Sequence, residues 1–185
     1  MIEKARALIY KRHSGQTRKG KKDPFTNHLE DVFEIARSLT EDEVVLASAY
    51  LHDIVEDTDT TIEEIREMFG KEVADFVASE TEDKRAELDP EKTWKIRKEE
   101  QLYHLKNNRN KDLYIIALSD KLANTNEMVK DYREMGDKLW ERFNQKDPKE
   151  IAWYYNSMAD IFRLELGDTK AFKELKNNID FLFNK

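Results

Sequence analysis

The feature that most constrains this chain is a helical repeat of apolar residues that continues almost from end to end. Apolar side chains recur at spacings of three and four, the pattern of one face of an α-helix. Residues that interrupt helices are scarce, with five glycines and three prolines among 185 residues. The sequence therefore predicts an all-α fold, specifically a helical bundle.

Local start and stop signals divide this bundle into helices. Thr61 and Glu64 form a capping-box pattern, and Gly70 is suited to end the helix that follows it. Asp-Pro pairs at 89–90 and 147–148 mark two further helix starts. The expected helices cover residues 2–12, 27–39, 41–56, a short segment ending at 70, "KEVADFVASE", "DLYIIALSDKLANTNEMVKDY", "DKLWERF" and "KAFKELKNNIDFLF", besides the two that open at the Asp-Pro pairs.

Composition excludes several classes of function. A net charge of −7 disfavours general binding to nucleic acid or to anionic membranes. The absence of cysteine excludes disulfides and thiolate nucleophiles. No apolar stretch has the roughly 20 residues of a membrane span, and the first residues do not resemble a signal peptide. These observations predict a cytoplasmic protein of one domain, residues 1–185, with a core at about 3–130 and C-terminal helices at 131–185 packing on it.

The segment "HDIVEDTDT" places a histidine and several acids directly after the most apolar stretch of the chain. At 100° per residue, His52, Asp53, Glu56 and Asp57 fall within an arc of about 140° on one helix. A solvated acidic face is one interpretation of this pattern. A cation-binding face is the other.

Two further residues favour the cation. His28 continues the core-facing stripe of its helix, and Asp120 continues another stripe further along the chain. Taken singly, His28 is explained as an ordinary core histidine and Asp120 as one partner of a salt bridge. A buried carboxylate without a partner is costly, however, and His28, His52, Asp53 and Asp120 together make a natural site for a divalent metal. Mixed nitrogen and oxygen ligands suit manganese, iron or zinc better than calcium.

A basic loop precedes the second helix. From residue 11 to 22 there are six Lys/Arg residues and no acid, which gives the loop the charge to hold a polyanion. Arg18 is suited to grip a phosphate in a fork and Lys19 to supply a point charge. A mobile loop that merely offsets nearby acids is the alternative. The loop leads directly to His28, and this adjacency favours a phosphorylated small-molecule substrate.

Three segments carry a family resemblance. In this order, "HSGQTRKGKKDPFTNH", "ASAYLHDIVEDTDTTIEEIREMFGKEVADFV" and "LSDKLANTNEM" resemble the HD-domain hydrolases of the RelA/SpoT type, and within them a stand-alone small alarmone hydrolase. The resemblance covers about residues 3–130. The "HDxxED" element with its "FGxEV" continuation is its most specific part.

The resemblance implies an all-α HD domain with one bound manganese. It also implies removal of pyrophosphate from the 3′ position of ppGpp or pppGpp, which gives GDP or GTP. By motif position, the metal ligands are His28, His52, Asp53 and Asp120. The acidic pair that activates water and assists proton transfer is Glu56 and Asp57, and the nucleotide contacts are Arg18, Lys19 and Asn124. His13 is expected to pack or to support the site, and His104 to lie at the surface.

The chain also departs from the family pattern. Phe25 and Leu29 stand where the family usually has tyrosine and proline, and Glu127 stands at a threonine position. These departures leave open an HD phosphohydrolase acting on NADPH or other nucleotides. A nucleotide-binding regulator without catalysis is a further alternative, although all six residues of the ligand set and the acidic pair are present.

Overall fold

The architecture is a bundle of α-helices. A computed structural model describes residues 1–85 and 87–184. In this part of the chain the α-helices are α1 (Ile2–Arg12), α2 (Phe25–Arg37), α3 (Glu43–Leu51), α4 (Ile54–Asp57), α5 (Ile62–Phe69), α6 (Lys71–Glu80), α7 (Pro90–Asn108), α8 (Lys111–Met135), α9 (Pro148–Leu166) and α10 (Lys170–Phe183). The predicted all-α class is confirmed.

The helix boundaries follow the local signals. Thr61 and Glu64 form a complete capping box at the start of α5, and Gly70 ends that helix with a φ of +95°, a conformation that glycine adopts without steric cost. Asp89 and Asp147 each accept a backbone N–H at the start of α7 and α9, with proline at the first helical position. The predicted starts at these positions are confirmed.

Two predicted helices differ in the structure. The expected continuous helix over 41–56 is wrong, because α3 ends at Leu51 and α4 begins only at Ile54. The Ala49 carbonyl, which would accept the amide of residue 53 in a continuous helix, accepts the His52 ring Nδ1–H at 2.8 Å. The segment Gly136–Arg142 is a 3₁₀-helix rather than an α-helix. It begins at Gly136, which has a φ of +61°.

Helix α8 is the centre of the bundle. Every residue from 113 to 123 on this helix is buried, because α2, α3, α6, α9 and α10 all pack against it. A helix that is surrounded on all sides needs apolar residues all round. An ionisable residue on α8, such as Asp120, is therefore placed inside the protein.

The C-terminal helices pack on α8 and on each other. Asn178 of α10 donates a hydrogen bond to Asn126 Oδ1 at 2.6 Å, and the Trp140 and Phe183 rings stack with centroids 5.4 Å apart. Trp140, Tyr154 and Tyr155 are buried. Among the described residues, no helix is both long and apolar enough to cross a membrane.

Candidate active site

Three separate segments bring two histidines and two acids together. His28 comes from α2, His52 and Asp53 from the break between α3 and α4, and Asp120 from α8. One ligand atom from each of His28, His52 and Asp120 lies within 4.8 Å of the others. Asp53 Oδ2 lies 3.1 Å from His52 Nε2 and 3.9 Å from His28 Nε2. The predicted grouping of these four residues is present in the fold, and their role as ligands stays a prediction.

One ring nitrogen of each histidine points into the cluster. His52 Nδ1 donates to the Ala49 carbonyl, which directs Nε2 into the cluster. Nε2 of His28 and Nε2 of His52 are both buried and make no hydrogen bond with good geometry, although Asp120 Oδ1 lies 3.2 Å and 3.6 Å from them. Two imidazole nitrogens facing two carboxylates are donor types that suit a divalent cation.

The charges of the cluster also favour a cation. Burial alone would lower the pKa of His52 and raise that of Asp53. Asp53 and Asp120 nevertheless raise the pKa of His52 well above its ordinary value, and His52 lowers the pKa of Asp53 to about 2. The two carboxylates thus stay ionised and draw positive charge between them, which a metal ion would supply.

Asp120 is held by its own helix. The Lys121 ammonium lies 2.5 Å from Asp120 Oδ2, and the Asn124 amide donates to Asp120 Oδ1 at 2.6 Å. Burial opposes ionisation, but Lys121, His28 and His52 keep the pKa of Asp120 well below its usual range. The carboxylate is therefore fixed in orientation and charged.

The acidic pair is divided between two adjoining spaces. An inner cavity of about 190 Å³ contains the His/Asp cluster and is lined by Glu56. An outer pocket of about 540 Å³ is lined by Asp57 and by part of the basic loop. Arg18 and Asn124 line both spaces, so they stand at the boundary between them.

Glu56 and Asp57 have different surroundings. Burial, followed by the charges of Asp53 and Glu82, raises the pKa of Glu56. Its Oε2 accepts the Glu82 backbone N–H at 3.2 Å. Asp57 Oδ1 accepts a hydrogen bond from Lys84 at 2.6 Å. Glu56 is thus the carboxylate of the pair that faces the inner cavity.

The basic loop reaches the outer pocket, where part of its charge is neutralised. Arg18 donates to Asn124 Oδ1 at 2.7 Å and to Glu127 Oε2 at 2.7 Å. Lys19 donates to the amide oxygen of Asn144 at 2.9 Å. Arg18, Lys19 and Asn124 therefore lie together at one pocket, and their contact with a nucleotide stays a prediction. Arg18 also offsets an acid, as the alternative interpretation of the loop proposed.

Sequence reasoning missed a buried network behind the cluster. Its charged members are Glu80, Glu82, Arg97, Lys98 and Lys121, which line the inner cavity with the cluster. Glu82 is paired with Arg97 at 2.8 Å and Lys98 at 2.5 Å. One residue could have indicated this network from the sequence: Lys121 is a charged residue next to Asp120 in a mainly apolar stretch of its helix.

Glu80 gives a prediction for stability. Burial raises the pKa of Glu80 to about 7, and one of its oxygens has no hydrogen-bond partner. Because the folded state favours the protonated form of Glu80, this group lets the wild-type protein reach its full stability below about pH 4.5. That part of the stability is lost as the pH rises through about 7, where Glu80 has to ionise inside the protein. The neutral variant Glu80→Gln should therefore gain stability relative to the wild type by roughly 2–3 kcal/mol between pH 5 and pH 8.

Urea unfolding of metal-free wild-type and Glu80→Gln protein at both pH values measures this difference. The exposed Glu63 of α5 supplies the control, since Glu63→Gln should give the same difference from the wild type at both pH values. An equal difference at the two pH values for Glu80→Gln would show that Glu80 stays ionised.

The other two histidines lie outside the His/Asp cluster, as do Phe25 and Leu29, which depart from the family pattern. His13 is buried and stacks on Phe25 with ring centroids 4.9 Å apart, while His104 is exposed. Phe25 also lies beneath the Arg18 guanidinium at 5.5 Å from the ring centroid. Leu29 is fully buried in the core. The phenylalanine thus supports the basic loop by packing.

The comparison with family models decides the family. The model described as an HD domain matches residues 5–147, well over half of the chain. The chain belongs to the HD-domain family. The HD-domain match contains the whole His/Asp cluster, Glu56, Asp57 and the basic loop. This family match agrees with the buried His/Asp group being a site for a divalent metal.

Curated relatives of this HD-domain chain include RelA/SpoT-type proteins. It is 40% identical over 81 residues to a probable guanosine-3′,5′-bis(diphosphate) 3′-pyrophosphohydrolase of Synechocystis, a match that covers 44% of this chain and 10% of that protein. It is 38% identical over 88 residues to guanosine-3′,5′-bis(diphosphate) 3′-pyrophosphohydrolase MESH1 of Drosophila melanogaster, covering 46% of this chain and 49% of that protein. The matches thus span about half or less of these relatives.

Solved structures share the HD-domain architecture over a longer range. The lmo0812 protein of Listeria monocytogenes superimposes with a TM-score of 0.73 at 28% identity, over 88% of this chain and 99% of that one. A metazoan ortholog of SpoT that hydrolyses ppGpp gives a TM-score of 0.71 at 25% identity, over 99% and 93% of the two chains. The resemblance to the RelA/SpoT type is therefore confirmed.

Proposed function

We propose that this protein is a metal-dependent (p)ppGpp 3′-pyrophosphohydrolase that releases pyrophosphate and GDP or GTP. The observation that carries the proposal is the inner cavity, where two unpartnered histidine nitrogens face Asp53 and Asp120 beside Glu56. Relatives named as guanosine-3′,5′-bis(diphosphate) 3′-pyrophosphohydrolases support the choice of substrate.

In this proposal His28, His52, Asp53 and Asp120 hold one manganese ion, with iron or zinc as the alternatives. A cation in this position would polarise the phosphoryl group and lower the pKa of water at the site. Lys121 and Asn124 keep Asp120 in place by their hydrogen bonds. His52 is kept in the tautomer that presents Nε2 by its bond to the Ala49 carbonyl.

Glu56 is proposed as the general base. Attack by water on the phosphorus next to the 3′ oxygen breaks the bond between them and releases pyrophosphate. The attacking water loses a proton, and the raised pKa of Glu56 suits its carboxylate to accept it. The 3′ oxygen gains a proton as it leaves, and Asp57, which lines the outer pocket, is proposed to assist this transfer.

The nucleoside is proposed to occupy the outer pocket. The reacting phosphorus has to lie at the His/Asp cluster, and the outer pocket, which shares Arg18 and Asn124 with the inner cavity, has room for the rest of the molecule. Its volume of about 540 Å³ lies within the usual range of small-molecule sites. Phe25, Met128 and Tyr155 give it apolar walls.

Product analysis tests this function. Purified protein with manganese and ppGpp should yield GDP and pyrophosphate in equal amounts, while parallel reactions with iron, zinc and magnesium rank the metals. NADPH and ordinary nucleotides complete the substrate panel. Absence of turnover of ppGpp with every metal would contradict the proposal, and release of orthophosphate from NADPH would favour the broader HD phosphohydrolase.

Lys19 provides a test of substrate binding. Lys19 lines the outer pocket, and within the described part of the chain its ammonium is hydrogen-bonded to the uncharged Asn144 and to no carboxylate. The Lys19→Ala variant should raise KM for ppGpp about five- to tenfold and change kcat less than about twofold, because the lost charge acts on bound substrate and transition state alike. Steady-state kinetics measures both constants.

Lys22 is the matched control for Lys19, since it lies in the same loop and is exposed. Lys22→Ala should leave KM within about twofold of the wild type. Equal effects of the two substitutions would indicate a general effect of loop charge rather than a contact made by Lys19.

A further inference from the structure

Glu127 neutralises the basic loop at the mouth of the outer pocket. Its Oε2 accepts hydrogen bonds from Arg18 Nε at 3.0 Å and from a terminal Arg18 nitrogen at 2.7 Å, and its Oε1 lies 2.7 Å from Lys21 Nζ. Burial opposes ionisation, but Arg18 and Lys21 keep the pKa of Glu127 below its usual value. The side chain is therefore a carboxylate, and Arg18 already has an anionic partner.

The other carboxylates of the outer pocket are paired too, Asp131 with Arg142 and Lys21, and Asp57 with Lys84. Its lining contains three cations, Arg18, Lys19 and Arg142, and three carboxylates, Asp57, Glu127 and Asp131. Arg142 lies 2.5 Å from Asp131 Oδ2. Among the described lining residues, Lys19 is the cation without a carboxylate partner, since its bond goes to the Asn144 amide.

This balance limits how much negative charge the pocket can accept. A phosphate oxygen that binds Arg18 has to displace Glu127 or to lie beside its carboxylate. Each additional phosphate charge is repelled by the Glu127 carboxylate, and among the described lining residues Lys19 is the cation that no carboxylate already pairs. The pocket is thus suited to a nucleoside that carries few phosphate charges away from the reacting centre.

We infer that Glu127 is a specificity-determining residue, which makes the pocket favour a substrate with a 5′-diphosphate over one with a 5′-triphosphate. The inference rests on the proposed function for the identity of the substrate and deepens it. It concerns the half of the substrate that is not hydrolysed, so binding of nucleotides without a 3′ pyrophosphate tests it independently of turnover.

Isothermal titration with GDP and GTP is the direct experiment, on protein loaded with metal and then freed of excess ion. Wild-type protein should bind GTP no more tightly than GDP. Glu127→Gln keeps the shape and removes the charge, so the preference for GTP over GDP should rise by roughly three- to tenfold. Glu134, exposed on the same helix, gives the control Glu134→Gln, which should leave the ratio unchanged.

The ratio of kcat/KM for ppGpp and pppGpp should shift in the same direction and by a similar factor. A wild-type protein that binds GTP tenfold more tightly than GDP would overturn the inference whatever the variant does. So would a Glu127→Gln variant that changes both affinities equally, because Glu127 would then only position Arg18. If wild-type protein fails to hydrolyse ppGpp, the proposed function is contradicted and the GDP/GTP ratio still decides this inference.

Discussion

Replacing Asp120 with asparagine is expected to abolish tight metal binding and to lower turnover by roughly a thousandfold, about 4 kcal/mol of transition-state stabilisation. The amide keeps an oxygen for the Lys121 hydrogen bond but lacks the charge that complements a cation. Asp120 is buried and touches both histidines of the cluster, so water cannot easily replace it. Metal analysis after dialysis and the rate of pyrophosphate release measure the two effects.

The asparagine variant is preferable to alanine for this test. Both substitutions leave the buried Lys121 ammonium without its carboxylate, which costs about 3–5 kcal/mol of folding stability. Asparagine, however, keeps an oxygen that accepts a hydrogen bond from Lys121, whereas alanine removes the acceptor as well. Circular dichroism should show wild-type helical content for Asp120→Asn. The exposed Asp160 of α9 gives the control Asp160→Asn, which should bind metal and turn over normally. An Asp120→Asn protein with full metal content would exclude Asp120 as a ligand.

Glu56→Gln is expected to have the second largest effect. The substitution should lower kcat by about 10²–10⁴-fold, the usual contribution of a general base, while metal content stays at the wild-type level. Glutamine can still accept the Glu82 backbone N–H that Glu56 accepts, so the backbone at Glu82, just after α6, should keep its position. Single-turnover measurements with ppGpp separate this chemical defect from a defect in binding.

The pH profile provides a second readout for Glu56. A base has to be deprotonated, and burial raises the pKa of Glu56 above its ordinary value, so wild-type kcat should fall on the acid side at a higher pH than a free glutamate predicts. Glu56→Gln should lose this limb. The control Glu63→Gln should retain it. Persistence of the limb in Glu56→Gln would assign the titration to another group.

Much of the fold was predictable because its signals are local. The capping box at Thr61, the Asp-Pro pairs at 89 and 147, and Gly70 each act through atoms within one turn of the chain. The break after Leu51 was not predictable in this way. It coincides with a hydrogen bond from the His52 ring to the Ala49 carbonyl, and nothing in the apolar periodicity distinguishes that turn from a continuous helix.

The candidate site was predictable only in part for a similar reason. His28 and Asp120 lie on apolar helix stripes, so the sequence pattern predicts that both side chains are buried. Glu127 carries no such signal, since an acid on a charged helix is ordinary. Its ion pairs with Arg18 and Lys21 join positions more than 100 residues apart, and only the packing of the basic loop against α8 reveals them.

The central claim is that one divalent cation is held where α2, the break after α3, and α8 converge. Anomalous scattering from a crystal grown with manganese, recorded on both sides of the manganese absorption edge, tests it most directly. The account predicts a single strong peak among His28, His52, Asp53 and Asp120. An empty cluster with manganese bound at another group of acids would contradict it.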